Sequence, residues 1–464
     1  MSAAMDGGRG RDSVTRAVAR RAGLGFAVVL LLFGIAAGQE LEFTIPIPES
    51  LGKPGQVVFA GGERKLYCYL PDSGRLAVID PETREVTGVV SLGRGLDVLQ
   101  YSRRWQRLYC SGDSGVVFLR TTDDGVVFER RDWGRINLIV EPAGSRVFVY
   151  SGLGVLRALE ATTGATTDSL PGIGSVSHIC FDPLRQLLWG RLSGLVDCTD
   201  RLRLIGPVPA YAHPTYNPRD GFVYALGSGI NRINPLTLAA ERWLPVNSMD
   251  VSMLLLNAPD HRLYYLQQWH PGSMIYEVRT VSFPEKVVTV CAQELYLGGN
   301  LYFIPVGKRV WFSNDRDWCF ACGERLESPR SFDSLGRLVV RPGSDPEMQR
   351  TFVTDRLSRR ITVYRDALRD SSDIAAALVV GPTAVIDTGV GWVFRASCVN
   401  LGIYDRSVSL RLRVRPRFPG EPAGTFDFVD TAVVELDGYD WGVAVFDTWR
   451  APVGGEYIAE VTVD

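Results

Sequence analysis

Two distant stretches decide how the chain is read: YCYLPDSGRLAVIDPETREV, residues 67–86, and FVTDRLSRRITVYR, residues 352–365. Each opens on an aromatic, passes through a short polar turn and enters an alternating apolar run. Between them the same aromatic recurs at the end of a short apolar strand pattern: Tyr67, Tyr109, Phe148, Trp189, Tyr224, Tyr264, Trp311 and Phe352. The intervals are 42, 39, 41, 35, 40, 47 and 41 residues, a period that marks a structural repeat.

A second mark travels with the first. Pro142, Pro183, Pro218, Pro305 and Pro346 lie six residues before their aromatics, and Pro259 lies five before Tyr264. Proline has no N–H for a strand ladder, so it ends one strand and opens a turn. The aromatic packs in the next strand. A third strand follows the polar turn, as in RLAVID (75–80), VVFLR (116–120), VLRALE (155–160) and RITVYR (360–365). DPETREV (80–86) and NPLTLAAERW (234–243) are turns into a fourth. Four antiparallel strands per ~40 residues make one blade of a β-propeller. The eight aromatics predict eight blades, and the long 264–311 interval leaves seven as the alternative. ELEFTIPI, residues 40–47, is expected to supply the outer strand of the last blade, which would remove an exposed sheet edge.

These two quoted stretches resemble the YVTN-type β-propeller repeat of bacterial secreted proteins. The resemblance covers about residues 52–370, with the first and last units matching best. It implies the fold. That family spans non-catalytic surface and periplasmic proteins and some relatives of dehydrogenases, so the resemblance alone implies no activity.

The rhythm stops near Asp370. WVFRASCVN (392–400), SVSLRLRV (407–414), TAVVEL (431–436) and EYIAEVTV (456–463) then read as strands, separated by NLG, PGEPAG and PVGG turns. This pattern predicts a small β-sandwich of immunoglobulin type. ASCVNLG (396–402) and the closing GGEYIAEV (454–461) resemble CARDB-like modules, which implies a spacer or attachment role. The fold class is therefore all-β, with a propeller over 39–372 and an Ig-like sandwich over 375–464.

Residues 1–38 are of a different kind. Five arginines precede the 14-residue apolar run LGFAVVLLLFGIAA (24–37) and the small residues before Gly38. That is the layout of a secretory signal peptide. An uncleaved anchor is the alternative, for which 14 residues are short against the ~20 of a span. The expected location is secreted, periplasmic or cell-surface, with no membrane span after cleavage. The chain carries net −2 and residues 1–38 carry +3, leaving about −5 for the remainder. A mildly acidic body lacks the basic footprint of a nucleic-acid binder. Hydrophobic residues at 46% and charged ones at 22% exclude disorder, and 48 Gly with 26 Pro suit a turn-rich β-protein.

One column carries the candidate site. Eleven residues before each aromatic, at the start of the innermost strand, stand Gln56, Asn137, His178, His213, Asn300 and Arg341, with Asp97 one position off. Inner strands line a propeller's central channel, so this column predicts a polar ring at one mouth, where a small ligand would find convergent polar groups. Strand ends at a wet channel are also polar in any propeller, so solvation alone accounts for the same pattern. His178 and His213 fall in adjacent blades, but zinc takes three or four ligands, and no metal or other cofactor is expected. Cys319 and Cys322 are spaced for a local disulfide, with two free thiols as the alternative. Cys68, Cys110 and Cys180 sit in apolar strand patterns and read as buried thiols. His261 and His270 lie in turn-rich segments and read as solvated. No G-x-S-x-G elbow occurs, and no catalytic residue is assigned. The expectation is a monomeric, exported, non-catalytic binding or scaffold protein with a protein or glycan partner. A lyase or quinoprotein-like dehydrogenase working at the channel mouth is the rival reading.

Overall fold

The computed structural model describes residues 39–464 apart from 97, 143, 174–178, 191–193, 207–211, 247–250, 269–274, 297–299, 305–308, 314–318, 323–329, 332–342, 346–347, 357, 367–373, 381–390, 403–405, 417–426, 437–439, 453–456 and 464. Among them are eight four-stranded antiparallel sheets. Seven are built from consecutive strands: residues 57–91, 98–130, 136–171, 179–206, 212–244, 251–296 and 300–331, here blades 1 to 7. In blade 8 the strands Gly343–Asp345, Arg350–Asp355 and Arg360–Asp366 are joined at the outer edge by the strand Gln39–Pro46.

The aromatic of the repeat has one position throughout. It lies on the second strand, opposite the residue nine places earlier on the first. The pairs are Val58–Tyr67, Gln100–Tyr109, Ile139–Phe148, Cys180–Trp189, Thr215–Tyr224, Leu255–Tyr264, Tyr302–Trp311 and Gly343–Phe352. The shifted proline of the Tyr264 unit therefore leaves the hairpin length unchanged.

Burial follows position in the blade. Second strands are buried on both faces, as in Leu66–Leu70 and Val147–Ser151, and so read as continuous apolar runs. The outermost strand Glu85–Ser91 alternates between exposed and half-buried residues. Apolar clusters form wedges between consecutive blades: Tyr67, Tyr69 and Leu76 pack against Leu99, Leu108 and Val117, and Phe148 and Tyr150 pack against Phe181 and Leu188. One wedge joins the two ends of the series, setting Phe352, Ile361 and Val363 of blade 8 against Val57, Phe59 and Leu66 of blade 1, with Phe43 and Ile45 of the N-terminal strand. Phe59 and Phe352 stack at 5.7 Å.

A polar contact repeats between blades. In four blades the residue two before the aromatic reaches the turn between the third and fourth strands of the next blade. Lys65 donates to Thr121 O and Asp124, Arg107 to Thr162 O, and Arg146 to Cys198 O. Two anchor tyrosines do the same: Tyr67 donates to Asp124 at 2.6 Å and Tyr109 to Ala161 O at 3.0 Å. The Asp123–Asp124 pair is thus structural, because Asp123 binds Arg120. In blade 8 the equivalent residue is Arg350, whose guanidinium forks onto Glu42 at 2.8 and 2.9 Å and donates to Glu82 of blade 1 at 2.8 Å.

The C-terminal strands form two three-stranded sheets. Ile374–Val380, Gly391–Asn400 and Trp441–Arg450 make one, and Phe428–Leu436, Arg406–Pro416 and Tyr457–Val463 the other. Phe394, Phe446 and Trp449 interleave with Val408, Leu410, Leu412 and Val414 between the layers. Residues 41–464 are one compact unit, and this sandwich packs directly on the propeller. Trp441 and Val443 join the wedge of Leu187, Trp189 and Tyr216 between blades 4 and 5, and Ser397 Oγ donates to Pro218 O at 2.6 Å. Pro218, a turn proline of the repeat, therefore forms part of a docking face. No helix among the described residues is long and apolar enough to cross a membrane.

Three sequence expectations change. Cys319 and Cys322 occupy one extended strand, Cys319–Cys322. Three residues of strand separate Cα atoms by about 10 Å, beyond the ~7 Å reach of a disulfide. His261 is half-buried rather than solvated; it stacks on Phe283 at 4.7 Å, and burial pushes its imidazole down to about 4. Cys68 and Cys110 are buried free thiols, whereas Cys180 is partly exposed. Residues 1–38, His270, Pro305 and Pro346 lie outside the described residues.

Arg350 supplies a direct test of closure. Replacing it with Met strands Glu42 beside an apolar wedge. Fully buried pairs cost ~3–5 kcal/mol to break; this one should cost about 2–3 kcal/mol, because Glu82 is half exposed. The Arg350 hydrogen bonds hold the Glu42 carboxyl below its usual range against the opposing effect of burial. The unfolded chain therefore takes up that proton first as pH falls. Urea unfolding of the native chain should show this stability in full above the ordinary carboxylate pKa and lose it through the acid range. Arg350→Met should lack that component, and an unchanged acid profile would contradict the assignment.

Candidate functional site

Two residues of the predicted column, Asn137 and His213, line a cavity. A cavity of about 270 Å³ lies against the inner strands of blades 2 to 6, and Val98, Asn137, His213 and Met253 line it. All four stand eleven residues before their aromatics. His213 arrives through a bulge: the ladder with the second strand shifts between Ala212 and Thr215, and His213 takes φ 50°. Such a conformation is uncommon for a non-glycine residue.

Gln56 has another role. It is buried, its Nε2 donates to Leu99 O at 3.0 Å, and its Oε1 accepts from Leu99 N at 2.8 Å. The side-chain amide thus copies a backbone strand and sews blade 1 to the inner strand of blade 2. Asn300 starts the inner strand of blade 7. Asp97, His178 and Arg341 lie outside the described residues.

Two polar groups escaped the column. Gln100 lines the cavity from the position opposite Tyr109, and Ser111 lines it from two residues past Tyr109. Ser111 is fully buried and its Oγ has no hydrogen-bond partner. An unpaired buried hydroxyl costs about 1–3 kcal/mol. Blades 1 and 3 carry Tyr69 and Tyr150 at the equivalent place, so the small serine makes room. Strand residues two apart share a face, which is the signal that would have found it.

A second cavity, of about 380 Å³, lies at the proline ends of the same inner strands. Ile139 and Ile179 line both cavities and divide them. The second is floored by Asp440 and Trp441 of the sandwich. The two chambers differ in chemistry. His213 is the one titratable group among the described lining residues of the first, which otherwise offers uncharged donors and acceptors over Leu138, Ile139 and Leu254. Among the described residues no group of three or more His, Cys, Asp or Glu is placed to hold a metal ion.

No family model and no curated protein sequence matches the chain. Among solved structures it is similar to the β-propeller domain of Cps50 (Swd1) from Myceliophteria thermophila. The identity is 14% and the TM-score 0.45, over 58% of this chain and 96% of that one. The β-propeller fold of this chain rests on its own repeated sheets and shared register.

Gln56→Ala separates a structural from a ligand-binding role. It leaves the buried N–H and C=O of Leu99 unpaired, so urea denaturation should show a loss of about 2–4 kcal/mol. Unchanged stability would contradict the sewing role.

Proposed function

We propose that the chain is an exported, non-catalytic β-propeller binding protein whose first axial chamber receives a small uncharged polar ligand, such as the end of a neutral glycan. Gln100 and Asn137, uncharged hydrogen-bonding side chains that line that chamber over Leu138, Ile139 and Leu254, carry the reading. Hydrogen-bonding side chains above an apolar floor suit a ligand with hydroxyls on one face and C–H groups on the other.

The C-terminal unit is proposed to be of immunoglobulin type, with strand order one–two–five against four–three–six. Its packing on blades 4 and 5 favours a fixed attachment module over a loose spacer. The YVTN-like stretches and the apolar run before Gly38 support export.

Two experiments test these readings. Mass spectrometry of the protein recovered after expression of the full chain in a bacterial host should find a new N-terminus within a few residues of Gly38. Retention of residues 1–38 would favour the anchor. An array of neutral oligosaccharides and peptides should yield a glycan whose affinity falls at least tenfold in Asn137→Ala, the size expected for one or two lost hydrogen bonds. If every hit survives that change, the first chamber is not the binding site.

A further inference from the structure

Blades 5 and 6 meet through four rings. Tyr224 and Trp243 come from strands of blade 5, and His261 and Phe283 from turns of blade 6. Phe283 stacks on Trp243 at 4.8 Å and on His261 at 4.7 Å, while Tyr224 meets Trp243 and Phe283 edge-on, each at 5.0 Å. His261 stands three residues before the anchor aromatic. At that position Arg64, Gln106, Gln186 and Gln349 also take φ between 49° and 59°, as His261 does at 54°. The left-handed turn therefore belongs to the repeat, and the imidazole belongs to blade 6. The His261 N–H donates to Ala258 O, and its carbonyl accepts the Phe283 N–H, both at 3.1 Å. Its Nε2 is buried and meets no hydrogen-bond partner.

We propose that His261 is an acid-sensitive latch: its neutral ring closes the aromatic stack between blades 5 and 6, and its protonation opens that junction. An imidazolium carries two N–H donors, and the buried Nε2 has no acceptor to give one of them. Burial and the Arg219 guanidinium hold the imidazole down to about 4, with Glu285 acting the other way. Arg219 is fixed in place, since it donates to Pro259 O at 3.0 Å, whereas Glu285 is exposed and its attraction is screened. The other charged groups around the stack do not compensate. Lys286 lies over the Trp243 ring at 5.7 Å, Asp260 is bonded to Asn257, and Arg262 follows His261 in the chain. Asp220 accepts from the Tyr224 hydroxyl at 2.7 Å, and burial holds its carboxyl above the usual range. The closed state thus takes up the Asp220 proton first, the opposite sense to His261. For His261 the open state, with an ordinary imidazole near 6.5, binds the proton first. The closed junction is therefore at full strength above about pH 6.5 and weakens as pH falls towards 4. Ala258 and Pro259, which line the second chamber, belong to the same turn, so opening the junction also loosens that chamber's wall. The proposal uses no residue of the first chamber.

The test is native-state hydrogen exchange on the full chain at pH 6 and pH 5, with each rate corrected for its intrinsic pH dependence. The Phe283 amide, which is bonded to His261, reads the junction, and the amides of Leu108 and Val149 in blades 2 and 3 serve as controls. The opening constant at Phe283 should rise roughly five- to tenfold between the two pH values, as expected for one proton taken up on opening, and the controls should rise less. His261→Gln removes the titrating ring and places at this turn the residue that blades 2, 4 and 8 already carry there. It should bring the pH response at Phe283 down to that of the controls. A rise at Phe283 no greater than at the controls, or one that survives His261→Gln, would overturn the proposal. The comparison within the native chain decides the question even if the variant fails to fold.

Discussion

One contact recurs at four of the blade junctions, and it closes the ring at the last of them. A long side chain two residues before the anchor aromatic crosses to the third turn of the neighbouring blade. Lys65, Arg107, Arg146 and Arg350 all make it, with Thr121, Thr162, Cys198 and Glu82 as the receiving residues. A four-stranded sheet cannot bury both of its faces alone, so each blade needs a neighbour on either side. The apolar wedges supply the attraction. The polar crossings fix the register, because they satisfy turn carbonyls that burial would otherwise leave unpaired. Arg350 differs from the others in holding two carboxylates, one from the first strand and one from the first blade. Arg350 thus adds an ionic tie to the strand pairing and apolar wedge that already join the strand Gln39–Pro46, blade 8 and blade 1.

That register is what places the axial groups. If every anchor aromatic is opposite the residue nine before it, the residues eleven before it share one height along the inner strands. A column in sequence thereby becomes part of a lining in space. The column is not uniform in what it does. Gln56 turns sideways and bonds to Leu99, while Asn137 and His213 line the cavity. The isoleucines Ile139 and Ile179 then split the lining into an upper, hydrogen-bonding chamber and a lower, aromatic one. The sandwich contributes the floor of the second. Its docking through Trp441, Val443 and Ser397 fixes it on blades 4 and 5.

Much of the fold was legible because the repeat writes it several times over. Tyr67 and Phe352 look alike in sequence for the same reason that they are both fully buried opposite an inner strand. The N-terminal strand was legible too, since an orphan alternating segment before the first unit has few places to pair. The candidate site was less so. Gln100 belongs to blade 2 alone, and the serine at the Ser111 position returns only as Ser313 of blade 7, too sparsely to leave a periodic trace. Asp440 and Trp441 come from a different fold, about 180 residues or more beyond the inner strands they meet. His261 read as solvated because its neighbours are turn formers, yet its ring is stacked on Phe283, a tertiary contact that local composition does not encode.

Cooperativity around the ring decides between this account and a linear array of sheets. Native-state hydrogen exchange on the intact protein measures it most directly, through the amides of the second strands in blades 1 to 6 and blade 8. A closed ring predicts that these amides share one opening free energy and respond together to low concentrations of urea. A graded series, with terminal blades opening before central ones as in a solenoid, would contradict it.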